Sequence, residues 1–377
     1  MTCFKASAER FSPFVWCVLL LGWVAGVQAE TENDYDIYGG WKRLQGKKTG
    51  FFHTEKISGK WWLVSPEGNA FFSKGVNSVH PPKKENFSGA DMERVVDWLK
   101  DWGMNTAGCW SDPDLMQGKI VVALRPKTTV AGMKEFPDVF DPKWKTEVEK
   151  NAQKECAPYR NNPWVLGYFT DNERPWKHED EAEAFLKLFL ELPPSSAGHQ
   201  AALKASRSGK AAIEAFREKA AEIYFKTTAE AFQKADPNHM ILGCRFAGTP
   251  PLSVVKKMKG CADVISINNY LEKPPSKLIQ EMSAAADLPV IVSEFSFKGP
   301  APGLDQSGSG PEKNSQLDRS RGYENYVRNL LKLDCCVGYH WFKWSENWQG
   351  VLQANGQPFP ELTQAFQEMN RQVESLR

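Results

Sequence analysis

Short apolar runs recur along this chain, and between them lie longer stretches whose apolar residues return every third or fourth position. The short runs read as buried strands and the longer stretches as amphipathic helices. Strands are expected at 71–76, 105–109, 120–124, 165–169, 240–244, 264–267, 290–292 and 337–341. A helix is expected over 91–102, where Val95, Val96, Trp98 and Leu99 form the apolar face. Runs that are apolar throughout, rather than alternating, suit parallel strands covered on both faces. Strand and helix alternating eight times predict an α/β fold of the (β/α)8 TIM-barrel type. A doubly wound open sheet shares that alternation but would carry a Gly-rich phosphate turn after an early strand, and the sequence has none there.

Ahead of the barrel, apolar residues 61–64 and 70–72 flank Ser65-Pro66-Glu67-Gly68-Asn69, which predicts a β-hairpin leading into the barrel or plugging its bottom. Two connections exceed the ordinary lengths of α/β units. Residues 174–238, after the fourth strand, hold a helical insertion broken at Leu192-Pro193-Pro194-Ser195-Ser196 and at 206–209, expected to lie over the barrel top. Residues 298–321, after the seventh strand, are rich in Gly, Ser and Pro, as in an active-site loop or lid. At the start, Lys5 and Arg10 precede an apolar stretch over 14–27, and Val27-Gln28-Ala29 offers small residues for cleavage before Glu30. Residues 1–29 therefore read as a secretory signal peptide; the stretch is short for a membrane span. The expected division is 1–29 signal peptide, 30–69 extension and hairpin, and 70–377 barrel. The mature chain is expected to be secreted or periplasmic, without a membrane anchor.

Composition narrows the partners. Lys+Arg number 47 and Asp+Glu 46, a net charge of +1, so no chain-wide field recruits nucleic acid or an anionic membrane. Fourteen tryptophans within 12% aromatics suit the CH faces of sugars, although core packing is the ordinary role of any one of them. Six of the eight cysteines remain after cleavage: Cys109, Cys156, Cys244, Cys261, Cys335 and Cys336. Export permits disulfides, but several of these lie in apolar runs, where a thiol behaves as a small hydrophobe, and buried free thiols are expected. No C-x-x-C or H-E-x-x-H spacing occurs and the six histidines are scattered, so neither a catalytic metal nor a cofactor is expected.

The chemistry concentrates in two acidic motifs, Gly167-Tyr168-Phe169-Thr170-Asp171-Asn172-Glu173 and Val290-Ile291-Val292-Ser293-Glu294-Phe295, each closing an apolar run. A carboxylate at the C-terminal end of a barrel strand emerges at the mouth, where barrel active sites lie. Glu173 would end the fourth strand and Glu294 the seventh, facing each other across it. Their separation of about 120 residues exceeds the roughly 94 of three average units in a ~250-residue barrel, and the insertion accounts for the excess. Retaining glycosidases need such a pair, one acid and one nucleophile. Singly, Asp171-Asn172-Glu173 also fits a capped helix start, and Glu294 a strand-end salt bridge.

With these motifs in place the chain resembles glycoside hydrolase clan A, and more closely β-agarases of the family-50 type. The resemblance rests on Asn172, Glu173 and Glu294, on Leu242-Gly243-Cys244-Arg245-Phe246, Gly338-Tyr339-His340-Trp341-Phe342 and Asn355-Gly356-Gln357-Pro358-Phe359-Pro360-Glu361-Leu362, and it runs from about Gly59 onward. Family-50 enzymes usually carry a larger N-terminal β-rich domain than this chain has. The resemblance implies Glu173 as acid/base, Glu294 as nucleophile, Asn172 on the sugar 2-hydroxyl, Tyr270 hydrogen-bonded to Glu294, and Trp341 as the platform beneath the sugar, with His340 facing the sugar as the alternative register. Arg245, at the end of the fifth strand, reads as a substrate contact or a structural counter-ion. Asn77, His80 and Trp110, near the ends of the first two strands, would line further subsites or merely sit near the cleft.

The expected function is a retaining hydrolase of β-linked galactan, an agarose- or porphyran-like polysaccharide or its oligosaccharides, acting as a monomer or weak homo-oligomer. Two rivals remain open: a clan A hydrolase of another β-glycan (mannan, glucan or β-galactoside), and a sugar-binding barrel without catalysis.

Overall fold

The computed structural model describes residues 2, 32–80, 89–128 and 135–377. Apart from residue 2, the expected signal peptide lies outside the described residues. Among those described, no helix is long and apolar enough to cross a membrane.

Among the described residues the first sheet has four antiparallel strands, β1 (Trp41–Gln45), β2 (His53–Ile57), β3 (Lys60–Val64) and β4 (Asn69–Phe71), in the order β1-β4-β3-β2. The expected hairpin is the β3/β4 pair, with Val64 opposite Ala70. Parallel strands follow: β5 (Ser73–Val76), β6 (Thr106–Ala107), β7 (Val121–Leu124), β8 (Val165–Phe169), β9 (Met240–Gly243), β10 (Phe246–Ala247), β11 (Ile265–Asn268), β12 (Val290–Phe295) and β13 (Cys336–Trp341). They form one curled sheet in the order β10-β11-β12-β13-β5-β6-β7-β8-β9. Its edges, β9 and β10, are two pieces of one barrel strand, kinked at Gly243 with φ +81°. A β-carbon at Gly243 would come within 2.8 Å of the Val264 carbonyl oxygen, so only glycine fits. The Val264 N–H donates to the Ile241 carbonyl at 3.3 Å, and the Gly248 N–H to that of Asn268 at 3.1 Å, carrying pairing across the junction. The eight expected strands are thus all present in a (β/α)8-type barrel.

The barrel interior explains the small sheet. Val121, Leu166, Met240, Val264, Ile291 and Val337 form one buried cluster with Phe52, Leu63 and Phe71 of the N-terminal region. Phe51 packs edge-on against His239 and Tyr38 against Trp164, both in turns that precede barrel strands. The sheet therefore plugs the bottom of the barrel.

The insertion is three helices, Ala182–Leu190, Ala197–Ser206 and Lys210–Ala235, separated where the sequence breaks were expected. The third has 26 residues, about 39 Å at ~1.5 Å per residue. The five-residue strand before it spans about 17 Å at ~3.3 Å per residue. The early turns of this helix therefore rise above the rim, where Phe185 and Phe189 pack on Phe216.

The 298–321 segment is fastened rather than free. Buried Arg319 donates to the carbonyls of Phe297, Gln349 and Gly350, each at 3.0 Å, tying the loops after β12 and β13 together. All six described cysteines are free thiols, and Cys109, Cys156, Cys244 and Cys336 are buried.

Candidate active site

A bulge aims the second glutamate. On β12, Ile267 and Asn268 of β11 pair with Val292 and Glu294, while Val292 and Phe295 pair with Tyr339 and Trp341 of β13. One extra residue near Ser293 breaks the alternation, which otherwise would send Glu294 outward with Val290 and Val292. Phe295 turns to the helix layer and stacks on Tyr326 at 4.4 Å. Glu294 turns into the mouth. The bulge also frees the Ser293 carbonyl, which accepts from Asn77 Nδ2 at 2.9 Å and from Arg245 at 3.1 Å.

Arg245 organises the site. Its guanidinium donates to Glu294 Oε1 at 2.6 Å and to Asn172 Oδ1 at 2.7 Å, and its main-chain carbonyl accepts the Glu173 N–H at 3.0 Å. Trp110, Glu173 and Arg245 all have left-handed backbone, φ +62°, +53° and +33°. Such conformations cost about 1–3 kcal/mol each and gather at functional sites.

The two glutamates differ in environment. Glu294 is only 3% exposed and also accepts the Tyr270 hydroxyl. Burial pushes its carboxyl above the ordinary glutamate value, and Arg245 and the Tyr270 hydrogen bond pull against that rise. Burial and the Glu294 charge together raise the Tyr270 phenol. Glu173 is half-buried and accepts from the Asn268 amide at 2.8 Å. Asn268 in turn accepts the Ser293 hydroxyl at 2.8 Å, so one side chain braces both acidic segments. Among the described residues one carboxylate thus carries a cation and a phenol, and the other a neutral amide. That asymmetry suits an ionised nucleophile beside a proton donor.

The remaining expected residues fall into different places. Trp110 is half-buried with its ring under the Arg245 guanidinium at 4.5 Å. Trp341 is not in the cleft, contrary to expectation. Strand alternation sends it to the helix layer, where it is fully buried between Phe295 and Phe366 and donates to the Gln349 carbonyl at 2.9 Å. His340 does face inward but lies sealed beneath the mouth, bonded to Ser73 Oγ at 2.9 Å, with burial driving its imidazole down to about 3. A β-carbon at Gly75 would strike the His340 ring at 2.5 Å, which fixes glycine there. Asn77 is fully buried, and its Nδ2 braces the ends of β12 and β13 by donating to the Ser293 and Trp341 carbonyls. Arg245, fully buried, is the structural counter-ion of the two expected readings. His80 is exposed at the edge of the described segment.

Phe342 was missed. It is half-buried, with Trp110 at 6.1 Å and Tyr270 at 6.2 Å, both edge-on, and it occupies the place expected of Trp341. The signal was present, since an inward His340 puts Phe342 inward two positions later. Asp171, within the first acidic motif, is not among the expected site residues. It is 1% exposed, accepts the Tyr224 hydroxyl from the long insertion helix, and is raised to about 6 by burial against the pull of Arg174. Among the described residues no group of three His, Cys, Asp or Glu side chains is placed to hold a metal ion.

No family model matches the chain. β-Agarase B of Vibrio sp. (strain JT0107) is 26% identical to it, over 90% of this chain and 50% of that protein. The chain spans about half the length of the curated relatives it matches. Among solved structures, BpGH50 superposes with a TM-score of 0.80 at 23% identity, covering 93% of this chain and 89% of that one. An exo-β-agarase superposes with a TM-score of 0.79 at 22% identity, covering 94% and 69%. The similarity read from the motifs is therefore found again in curated β-agarases, and the solved structures share the fold.

Proposed function

We propose that this chain is a secreted, retaining glycoside hydrolase that cleaves β-linked galactan of the agarose or porphyran type. The observation that carries this reading is the Glu173–Asn172–Arg245–Glu294–Tyr270 constellation at the barrel mouth. Glu294 attacks the anomeric carbon while Glu173 protonates the departing glycosidic oxygen. Glu173 then takes a proton from water, which displaces Glu294 and restores the configuration. Phe342 and Trp110 offer ring surfaces for the sugar's CH face, and Asn172 an amide for the 2-hydroxyl. The similarity to β-agarases supports a galactan substrate. The Lys5–Ala29 pattern supports export, which amino-terminal sequencing of the mature protein checks.

Azide rescue tests the roles. Glu294→Gly should lose several orders of magnitude in turnover on agaro-oligosaccharides and, with azide, form the α-glycosyl azide. Glu173→Ala with azide should form the β-glycosyl azide. Near-wild-type turnover by either variant, or the opposite anomers, would remove the assignment.

A further inference from the structure

Trp110, whose ring lies under Arg245, also borders a pocket whose lining includes neither Glu173 nor Glu294. It holds about 170 Å³ and is lined by Ser111, Leu124, Arg125, Glu155 and Tyr159 among others. Pockets for drug-sized ligands run to roughly 300–1,000 Å³, so this one accommodates about one sugar ring. Arg125 follows β7 directly, which places it at the barrel rim. Its guanidinium lies over the Trp110 ring at 5.6 Å, as the Arg245 guanidinium does at 4.5 Å.

The two arginines differ in what they hold. Arg245 is ion-paired with Glu294. Among the described residues Arg125 has no hydrogen-bond or ion-pair partner; its Nε, like that of Arg245, is buried without an acceptor. Glu155, the pocket's carboxylate, already accepts the Lys127 N–H at 3.4 Å and lies 3.5 Å from Lys154 Nζ. Asp171 feels the Arg125 charge only through space and is itself held by Arg174 and Tyr224. A half-buried guanidinium with no acceptor in contact is costly, and its planar fork matches a planar or tetrahedral oxyanion.

We propose that this pocket is a subsite for a sugar residue bearing an anionic substituent, a sulfate ester or carboxylate, held by Arg125 with the ring against Trp110. The inference rests on the galactan reading and narrows it to charged galactans such as sulfated ones.

Binding separates the two claims. The Glu294→Gln chain would be titrated by calorimetry with a sulfated galacto-oligosaccharide, its desulfated counterpart, and a uronate-bearing oligosaccharide. Arg125 should give at least a ten-fold preference for a charged ligand over the neutral one, shrinking as salt is added. Whichever of sulfate or carboxylate is preferred identifies the substituent. Adding Arg125→Gln should abolish the preference, and Arg125→Lys should restore part of it. In hydrolysis, Arg125→Gln should lower the charged-to-neutral ratio of kcat/KM by a similar factor. Equal affinities, or a preference that survives Arg125→Gln, would overturn the subsite. Failure of the wild-type chain to cleave any galactan would strike the proposed function instead, since the preference is read without turnover.

Discussion

At the residue scale, the proposed chemistry turns on what favours the charged form of a buried Glu294. Desolvation opposes its charge, and Arg245 and Tyr270 are the two donors that favour it. Tyr270→Phe removes one of them, so the carboxyl rises further and the acid limb of kcat/KM moves to higher pH. A hydrogen bond to a charged group contributes about 1.5–3 kcal/mol, so the limb should move by roughly one to two pH units, with a loss of roughly 10- to 150-fold in kcat/KM on its acid side. A pH–rate profile on an agaro-oligosaccharide measures both, and an acid limb that stays in place would separate Tyr270 from Glu294 ionisation. Residue types at strand ends were legible in the sequence, which is why both glutamates, Asn172 and Tyr270 could be named. Side-chain direction was less so. Trp341 and Phe342 are adjacent rings in one apolar run, and which of them faces the cleft depends on the register with β5, where Trp341 lies opposite Val76.

At the element scale, the apolar runs located the barrel strands because each is buried on both faces, and the few polar residues within them, such as Ser73 and Lys74 of β5 and Ser266 of β11, are buried too. The bulge in β12 left no such trace. It is a mismatch between neighbours, set by pairing with β11 and β13, and Val290–Phe295 alone reads as an unbroken strand. The same blindness applies to the loop after β12. Its Gly, Ser and Pro content suggested a lid, but Arg319 comes from the following helix and binds carbonyls about 20 and 30 residues away along the chain. Arg319→Met would leave those carbonyls without their donor. The expected loss is about 2–4 kcal/mol of stability, by analogy with buried polar groups left unpaired. The 298–315 segment should then become the first site of cleavage in limited proteolysis, with KM for oligosaccharides rising more than kcat falls. Unchanged protection of that segment would mean that the isolated bridges Lys298–Glu312 and Asp305–Asn347 suffice to hold it.

At the scale of the whole molecule, stability and chemistry sit at opposite ends of the barrel. The mouth gathers left-handed residues, a buried arginine and carboxylates, none of which favours folding. The bottom compensates with close-packed apolar contacts from the N-terminal sheet. The buried Lys74–Glu374 pair, at 2.7 Å, fastens the C-terminal helix Val373–Leu376 to β5. Phe52 shows this division most directly. It is 1% exposed, packs on Phe71 at 5.0 Å between ring centres, and belongs to the same cluster as Leu166 and Ile291 inside the barrel. Phe52→Ala should therefore cost about 3–5 kcal/mol of unfolding free energy, the usual range for removing a buried aromatic ring. Because the plug contacts the ends of the strands remote from Glu173 and Glu294, kcat/KM per folded molecule should stay within about two-fold of wild type at a temperature well below the lowered Tm. Denaturant unfolding gives the first quantity, and active-site titration with a mechanism-based fluoro-glycoside gives the second. A variant that kept its stability would show that the small sheet only rests on the barrel. One that lost turnover while folded would show that the packing of the bottom reaches the geometry of the mouth.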